Sequence, residues 1–237
     1  MKITNLKYIV LAGLIGILYS CDDFLNADAL EDQTTIEDVF GTRKDAERFL
    51  ANIYSSMKTE TDWSNGTVWT SISDELDVTY QEYGPSIING GSMTAASPIM
   101  DYWSDYYKGI RSANYFIQHV EDVPAQYMMD QNGTVDLRKK YKAEARYLRA
   151  YFYFCLFKQY GPVILMYDEI IPSDASIEAF QRPRNTVSET VDYILNELDA
   201  IIDEEILPKT RPQEQAYYGR ITEATCRALK SRLLLYA

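Results

Sequence analysis

The segment from Leu137 to Cys155 constrains the fold most strongly, because it carries apolar side chains at helical spacing on two faces. One face holds Leu137, Tyr141, Ala145, Leu148, Phe152 and Cys155, and the other holds Tyr147, Tyr151 and Phe154. A helix that is apolar on one side packs on a single layer, whereas a helix that is apolar on two sides needs neighbours on both. The segment therefore predicts a central helix sandwiched between other helices.

Four further segments have the period of amphipathic helices, so the sequence predicts a mainly α fold. The expected starts are Thr42, Ser97 followed by Pro98, Thr186 and Thr222. Trp103 falls on the apolar stripe of the second of these helices and is assigned to the core. Residues 60–97 contain four glycines and predict loops or short strands.

A repeat pattern is visible in the central helix. Ala150, Phe154 and Pro162 have the spacing of the second helix of a tetratricopeptide unit. The helix starts are unevenly spaced, which favours divergent helix pairs joined by long loops over a regular array. The last helix still shows its apolar pattern at Leu233 to Ala237. We therefore expect the chain to be the N-terminal part of a longer protein, truncated at the C-terminus.

The first 21 residues have the layout of a secretory signal that ends at a cysteine. Lys2 and Lys7 precede an uncharged run from Tyr8 to Tyr19, which is shorter than the roughly 20 apolar residues of a transmembrane helix. Cys21 follows, and Asp22-Asp23 come directly after it. Acyl chains on such a cysteine hold a protein stably on a membrane. The sequence predicts a lipoprotein signal peptide with Cys21 as the lipidated residue.

Composition narrows the possible functions. The formal net charge is −12, with 23 basic against 35 acidic residues, and this argues against nucleic-acid binding, which depends on Lys and Arg contacts to phosphates. His119 is the single histidine, so neither a zinc site nor a catalytic triad is predicted. No metal or cofactor is expected. Cys155 and Cys226 are predicted to be buried free thiols, with a disulfide between them as the alternative.

The loop-rich segment 60–97 carries the candidate ligand-binding residues. They are Trp63, Asn65, Trp69, Asp74, Tyr80 and Tyr83. Flat aromatic faces suit the apolar C–H patches of a pyranose ring, amides and carboxylates bind its hydroxyls, and loops on a rigid scaffold are where such groups serve binding. Packing inside the protein is the alternative role for each aromatic side chain.

Two other groups of charged residues could serve a chemical function. Asp74, Glu75 and Asp77 raise the hypothesis of a glycosidase, which needs a carboxylate on each side of the scissile bond; we favour a solvated turn. A basic stripe at helical spacing on the central helix consists of Arg138, Lys142, Arg146 and Arg149. An anionic ligand or lipid headgroups could use this stripe, but a solvated or salt-bridged face is the favoured interpretation in an acidic chain.

Five stretches in order resemble the SusD/RagB family of nutrient-capturing surface lipoproteins of Bacteroidota. They are Cys21 to Leu25, Trp103 to Val120, Ala143 to Gly161, Arg184 to Leu207 and Gly219 to Ala237. The resemblance implies a SusD-like helical domain over residues 22–237, built on tetratricopeptide-like helix pairs. It also implies an outer-membrane location through the lipid on Cys21, with Asp22-Asp23 favouring display on the cell exterior.

The resemblance further implies a function. Such a protein captures a nutrient, here expected to be an oligosaccharide, and hands it unchanged to a partner SusC-like TonB-dependent transporter in the outer membrane. Capture of a peptide by the same fold is an alternative. A glycoside hydrolase and a purely structural helical adaptor are alternatives from other classes.

Overall fold

The computed structural model describes residues 36–59, 69–77, 79, 84–94, 96, 98, 100–130, 132–133, 135–172, 174–210 and 218–237, with the backbone alone at 36, 37 and 69. The chain divides into two units, residues 1–39 and residues 40–237. Of the first unit, the short helix α1 (Ile36–Val39) is described.

The second unit is mainly α-helical, as predicted. Its helices in the described ranges are α2 (Arg43–Ser55), α3 (Gly84–Asn89), α4 (Trp103–His119), α5 (Leu137–Tyr160), α6 (Ile177–Phe180), α7 (Val187–Asp203) and α8 (Glu223–Tyr236). Short 3-10 helices cover Trp69–Ile72, Val120–Asp122 and Ala125–Tyr127. Among the helices of the described part, none is long and apolar enough to span a membrane.

Helix α5 is the centre of the fold. It packs against α2 and α4 and also against α7 and α8, which confirms the predicted sandwich. Most of its side chains are buried, including Tyr141, Phe152 and Tyr153 with no exposed surface. Cys155 and Cys226 are buried free thiols, as expected from their apolar surroundings.

The predicted caps of three helices are confirmed. The hydroxyls of Thr42, Thr186 and Thr222 accept hydrogen bonds from backbone N–H groups three residues later. At α7 the carboxylate of Glu189 also accepts from the N–H of Thr186 at 2.7 Å, which completes a capping box. Two donors that a helix start leaves without partners are thereby satisfied.

The predicted start of α4 is wrong, since the helix begins at Trp103 and not after Ser97-Pro98. Two side chains fix the later start. The N–H of Tyr102 donates to the phenol oxygen of Tyr160 at 2.8 Å, and the N–H of Trp103 donates to Oδ1 of Asp101 at 3.1 Å. The partner of Tyr102 comes from the end of α5, so the local sequence alone does not reveal it.

The segment 60–97 also differs from the expectation of loops and short strands. Where it is described, it contains the 3-10 helix Trp69–Ile72 and the six-residue helix α3. Helix α3 includes Pro85 as its second residue, a position in the first turn where the missing N–H of proline costs nothing. The helix is tied down by Asn89, whose Nδ2 donates to the carbonyl of Ser71 at 2.9 Å.

The basic stripe of α5 forms ion pairs, which agrees with the salt-bridged interpretation. Arg138 pairs with Asp136, Lys142 with Glu121, and Arg146 with Glu197 and Glu204. Arg149 is buried, unlike the other three. The stripe therefore joins α5 to its neighbours.

A buried ion pair connects α2, α5 and the segment before α8. The Glu144 side chain has no exposed surface, and its Oε2 accepts from Arg220 at 2.8 Å and from the hydroxyl of Tyr54 at 2.7 Å. The hydroxyl of Tyr54 in turn accepts the N–H of Ile221 at 3.1 Å. A buried carboxylate is tolerated only where such partners satisfy it.

Arg220→Met removes the cationic partner of this buried carboxylate, and we expect the free energy of unfolding to fall by about 3–5 kcal/mol. The matched control is Arg227→Met. Arg227 pairs with Glu223 at 2.7 Å, but its side chain is 62% exposed against 20% for Arg220. An exposed pair contributes about 0.5 kcal/mol or less. Denaturant unfolding followed by circular dichroism measures both variants.

The pH dependence of that deficit separates an unpaired charge from lost packing. Burial raises the pKa of Glu144, and Arg220 opposes this effect. Without Arg220 the pKa of Glu144 rises further above its unfolded value, so the native state binds a proton more readily than the unfolded state. The deficit of Arg220→Met relative to wild type should therefore shrink as the pH is lowered. A deficit of constant size would contradict this assignment.

Gly109 lets α4 approach α5 closely. A Cβ atom at this position would lie 2.8 Å from the ring of Phe152, which is fully buried. Overpacking costs about 1–3 kcal/mol, whereas removing a helical glycine gains up to about 1 kcal/mol. We expect Gly109→Ala to be destabilising in thermal unfolding, while Ser112→Ala on the same helix changes stability little. Equal stability of the two variants would refute the close approach.

Candidate ligand-binding site

The residues predicted to bind ligand or lipid fall mostly outside the described part of the chain. Those outside it are Cys21, Trp63, Asn65, Tyr80 and Tyr83. Trp69 begins the 3-10 helix Trp69–Ile72, and its side chain is likewise outside the description. Asp74 and Glu75 lie in the turn that follows this helix, and both are exposed, as is Asp77.

The described residues form a cavity of about 400 Å³ between α4 and the chain that follows α5. We call it the α4 cavity. Its wall includes Trp103, Tyr107, Lys108, Arg111, Phe180 and Arg182. The first four lie on one face of α4, because residues three or four apart are neighbours on a helix surface. The volume is within the range of small-molecule sites, about 300–1,000 Å³.

Hydrogen bonds from α4 and α5 fix the wall opposite α4. The hydroxyl of Tyr107 donates to the carbonyl of Ile164 at 2.8 Å and accepts the N–H of the same residue at 2.9 Å. The N–H of Met166 donates to the hydroxyl of Tyr153 at 2.8 Å. Burial raises the pKa of Tyr107 to about 12, so its phenol stays protonated and keeps both bonds at neutral pH.

The buried Arg149 binds the chain at Tyr167 and Asp168, which continues this wall. Its Nη1 donates to Oδ1 of Asn114 at 2.7 Å and to Oδ1 of Asp168 at 2.6 Å, and its Nη2 donates to Oε2 of Glu197 at 2.8 Å. Burial disfavours the charge of Arg149, but Tyr193, Glu197 and Asp168 outweigh it and raise the pKa of the guanidinium. Arg149 is therefore a fixed charge that joins α4, α5 and α7.

The same network stabilises an unusual backbone conformation at Tyr167. Its φ is +50°, a value that residues with a side chain rarely adopt. Its carbonyl accepts from Nδ2 of Asn114 at 2.9 Å and from Nη1 of Arg149 at 3.0 Å. The wall of the α4 cavity is thus positioned by side chains from two helices.

Trp103 corrects the sequence prediction, which placed it in the core. The residue is half-buried and borders the α4 cavity. The guanidinium of Arg184 lies 4.9 Å from the centroid of a Trp103 ring, and the ring of Tyr160 meets Trp103 edge-on at 5.2 Å. Periodicity identifies the apolar face of a helix, but it does not distinguish a packed core from a cavity wall.

Phe180 and Arg182 complete the cavity from the far side. Phe180 ends the short helix α6, and its side chain is 52% exposed. Both Nη atoms of Arg182 donate to Glu169, each at 2.6 Å, and this pairing lowers the pKa of Glu169. Sequence reasoning missed both residues because they follow an irregular segment without a periodic signal.

A smaller cavity of about 260 Å³ is lined by residues that include Glu47, Tyr54 and Arg220. Its polar groups bind one another, since Glu47 pairs with Arg43 at 2.8 Å and Tyr54 and Arg220 both bind Glu144. The α4 cavity is the better candidate for a ligand.

The described residues contain no group of three or more His, Cys, Asp or Glu side chains that could hold a metal ion. His119 is half-buried, and its Nδ1 lies 2.9 Å from Oδ2 of Asp122. Its ring also packs against Phe40 with centroids 5.5 Å apart. These contacts account for His119 without a ligand.

Comparison with known proteins shows where this architecture occurs. A SusD-like family model, described as starch-binding and associating with the outer membrane, matches residues 23–235. SusD-like protein P38 of Formosa agariphila is 25% identical over 202 residues, which cover 84% of this chain and 37% of the relative. The chain thus spans little more than a third of that relative.

Two solved structures have a similar fold. A SusD-like protein of Bacteroides fragilis has a TM-score of 0.59 at 25% identity, covering 84% of this chain and 36% of its own. Surface glycan-binding protein A of Bacteroides uniformis has a TM-score of 0.62 at 20% identity, covering 82% of this chain and 42% of its own; at that identity the likeness concerns the fold. Because the family model matches nearly the whole sequence, the chain belongs to the SusD-like family.

Proposed function

We propose that the chain acts as a cell-surface lipoprotein that captures an oligosaccharide and delivers it to a partner SusC-like TonB-dependent outer-membrane transporter. The observation that carries the proposal is the family match over residues 23–235, with a family described as starch-binding and associating with the outer membrane. The name of the Bacteroides uniformis relative, surface glycan-binding protein A, supports a glycan over a peptide.

The proposed capture site is the aromatic segment within residues 60–97. Trp63, Trp69, Tyr80 and Tyr83 would stack on sugar rings, while Asn65 and Asp74 would bind hydroxyls. The exposure of Asp74 on a turn suits this role, because loops on a rigid scaffold present binding groups to solvent. The helices around α5 would supply that scaffold.

Binding without chemical change is part of the proposal. The family model is described as starch-binding and the Bacteroides uniformis protein as glycan-binding. A glycosidase would need two carboxylates held on either side of one bond. Asp74, Glu75 and Asp77 are exposed neighbours on one short stretch of chain, which does not favour such an arrangement.

Trp63→Ala and Trp69→Ala should each weaken binding of the recognised oligosaccharide about thirtyfold, the effect of losing a contact worth about 2 kcal/mol. Titration calorimetry on the full chain, purified from membranes in detergent, measures the affinity. Tyr127→Ala is the matched control, since Tyr127 is a surface aromatic residue with 51% exposure. Unchanged affinity in both tryptophan variants would remove the capture site from this segment.

Cys21→Ser tests the proposed anchor. Without the thiol no acyl chain can be attached, so the variant should lose radiolabelled palmitate and leave the membrane fraction. Cys155→Ser is the control because Cys155 is a buried thiol of α5, and it should keep the label. Palmitate incorporation into the Cys21→Ser variant would contradict the lipoprotein assignment.

A further inference from the structure

The charges of the α4 cavity are unusual for this chain. The chain has twelve more acidic than basic residues, but the cavity wall carries Lys108, Arg111 and Arg182 against one carboxylate, Glu169. Glu169 is already bound by Arg182 through two hydrogen bonds. The cavity therefore has a local excess of positive charge in a protein of the opposite sign.

Lys108 and Arg111 account for this excess. Within the described residues, no carboxylate lies within ion-pairing distance of either side chain, whereas most cations of the neighbouring helix α5 are paired. The two residues are three apart on α4, so they are neighbours of like charge, and such a pair is mildly destabilising in a helix. A bound anion would relieve the repulsion.

Arg111 is half-buried and held in place with donors to spare. Its Nη1 donates to the carbonyl of Ile171 and its Nη2 to the hydroxyl of Tyr115 at 3.2 Å, and its guanidinium lies 5.1 Å from the Tyr115 ring centroid. A guanidinium has five N–H donors. Three of them have no partner among the described residues, and a fixed guanidinium of this kind suits an anionic oxygen pair.

The same cavity offers apolar surfaces beside these cations. Phe180 lies at the edge of the cavity and is 52% exposed. Trp103, Tyr107 and Ile164 contribute to the cavity wall. An exposed aromatic face suits the C–H surface of a pyranose ring. Cations next to aromatic groups match a ring that carries a negative substituent.

We propose that the α4 cavity is a second ligand site, built from residues other than those of the aromatic segment, and that it takes an acidic sugar residue, a pyranose with a carboxylate or sulfate group. Arg111 and Lys108 bind the anion, and Phe180 covers the ring. The choice of a sugar rests on the proposed function, while the choice of an anion rests on the cavity alone.

The test uses matched ligands on the full chain in detergent. Tetrasaccharides of glucuronate, galacturonate and mannuronate are titrated beside their carboxyl-reduced counterparts, and sulfated tetrasaccharides beside the unsulfated ones. At least one acidic ligand should bind about tenfold more tightly than its neutral counterpart, and added salt should reduce this preference. The anion is identified by the series of ligands, carboxylate or sulfate, that shows this preference.

Three variants assign the preference to the cavity. Arg111→Gln should abolish it, a loss of about tenfold in affinity for the acidic ligand, as expected for a charged hydrogen bond, and Lys108→Gln should reduce it severalfold. Lys108 is exposed and makes no hydrogen bond to a described residue, so its variant keeps the fold even if Arg111→Gln unfolds. Lys44→Gln removes an exposed lysine of α2 and should change nothing.

The outcomes separate this site from the proposed function. The cavity site would be overturned if neutral glycans bound as tightly as acidic ones. It would also be overturned if the preference for acidic glycans survived Lys108→Gln and Arg111→Gln in folded protein. Either result would leave the proposed glycan capture unaffected. Loss of the acid preference together with intact binding of neutral glycans supports the cavity site. Failure to bind any glycan would overturn both.

Discussion

Two charged side chains buried on α5 hold the structure together. Glu144 has no exposed surface and Arg149 is 3% exposed, so each must find its partners on other elements. Glu144 binds Arg220 and Tyr54 and thereby connects α2 to the start of α8. Arg149 binds Asn114, Asp168 and Glu197 and connects α4 to α7. Apolar contacts are not directional, whereas these charged hydrogen bonds require particular distances between the helices.

The α4 cavity depends on this arrangement. Arg149 and Asn114 bind the carbonyl of Tyr167, where the backbone has positive φ, and Tyr107 binds both backbone groups of Ile164. The irregular chain after α5 is thus held at a fixed distance from α4, and the space between them stays open. A preformed cavity loses little conformational entropy when a ligand enters it.

The sequence predicted what local patterns determine. The capping residues Thr186 and Thr222 and the two-faced pattern of α5 gave the helices and their central member correctly. The start of α4 was misplaced because it depends on Tyr160, which comes 58 residues after its partner Tyr102. Arg149 was indistinguishable from its basic neighbours on α5, since its burial depends on partners in α4 and α7. Trp103 has the spacing of a core residue but borders a cavity.

The proposed capture of an oligosaccharide without chemical change can be tested by an equilibrium binding screen of the unaltered full chain. Free oligosaccharides and a pool of peptides are offered in parallel, and each bound molecule is recovered and weighed by mass spectrometry. We expect saturable binding of at least one oligosaccharide class, and we expect the bound molecules to be recovered intact after prolonged incubation. Binding confined to peptides, or recovery of shortened saccharides, would contradict the proposed capture.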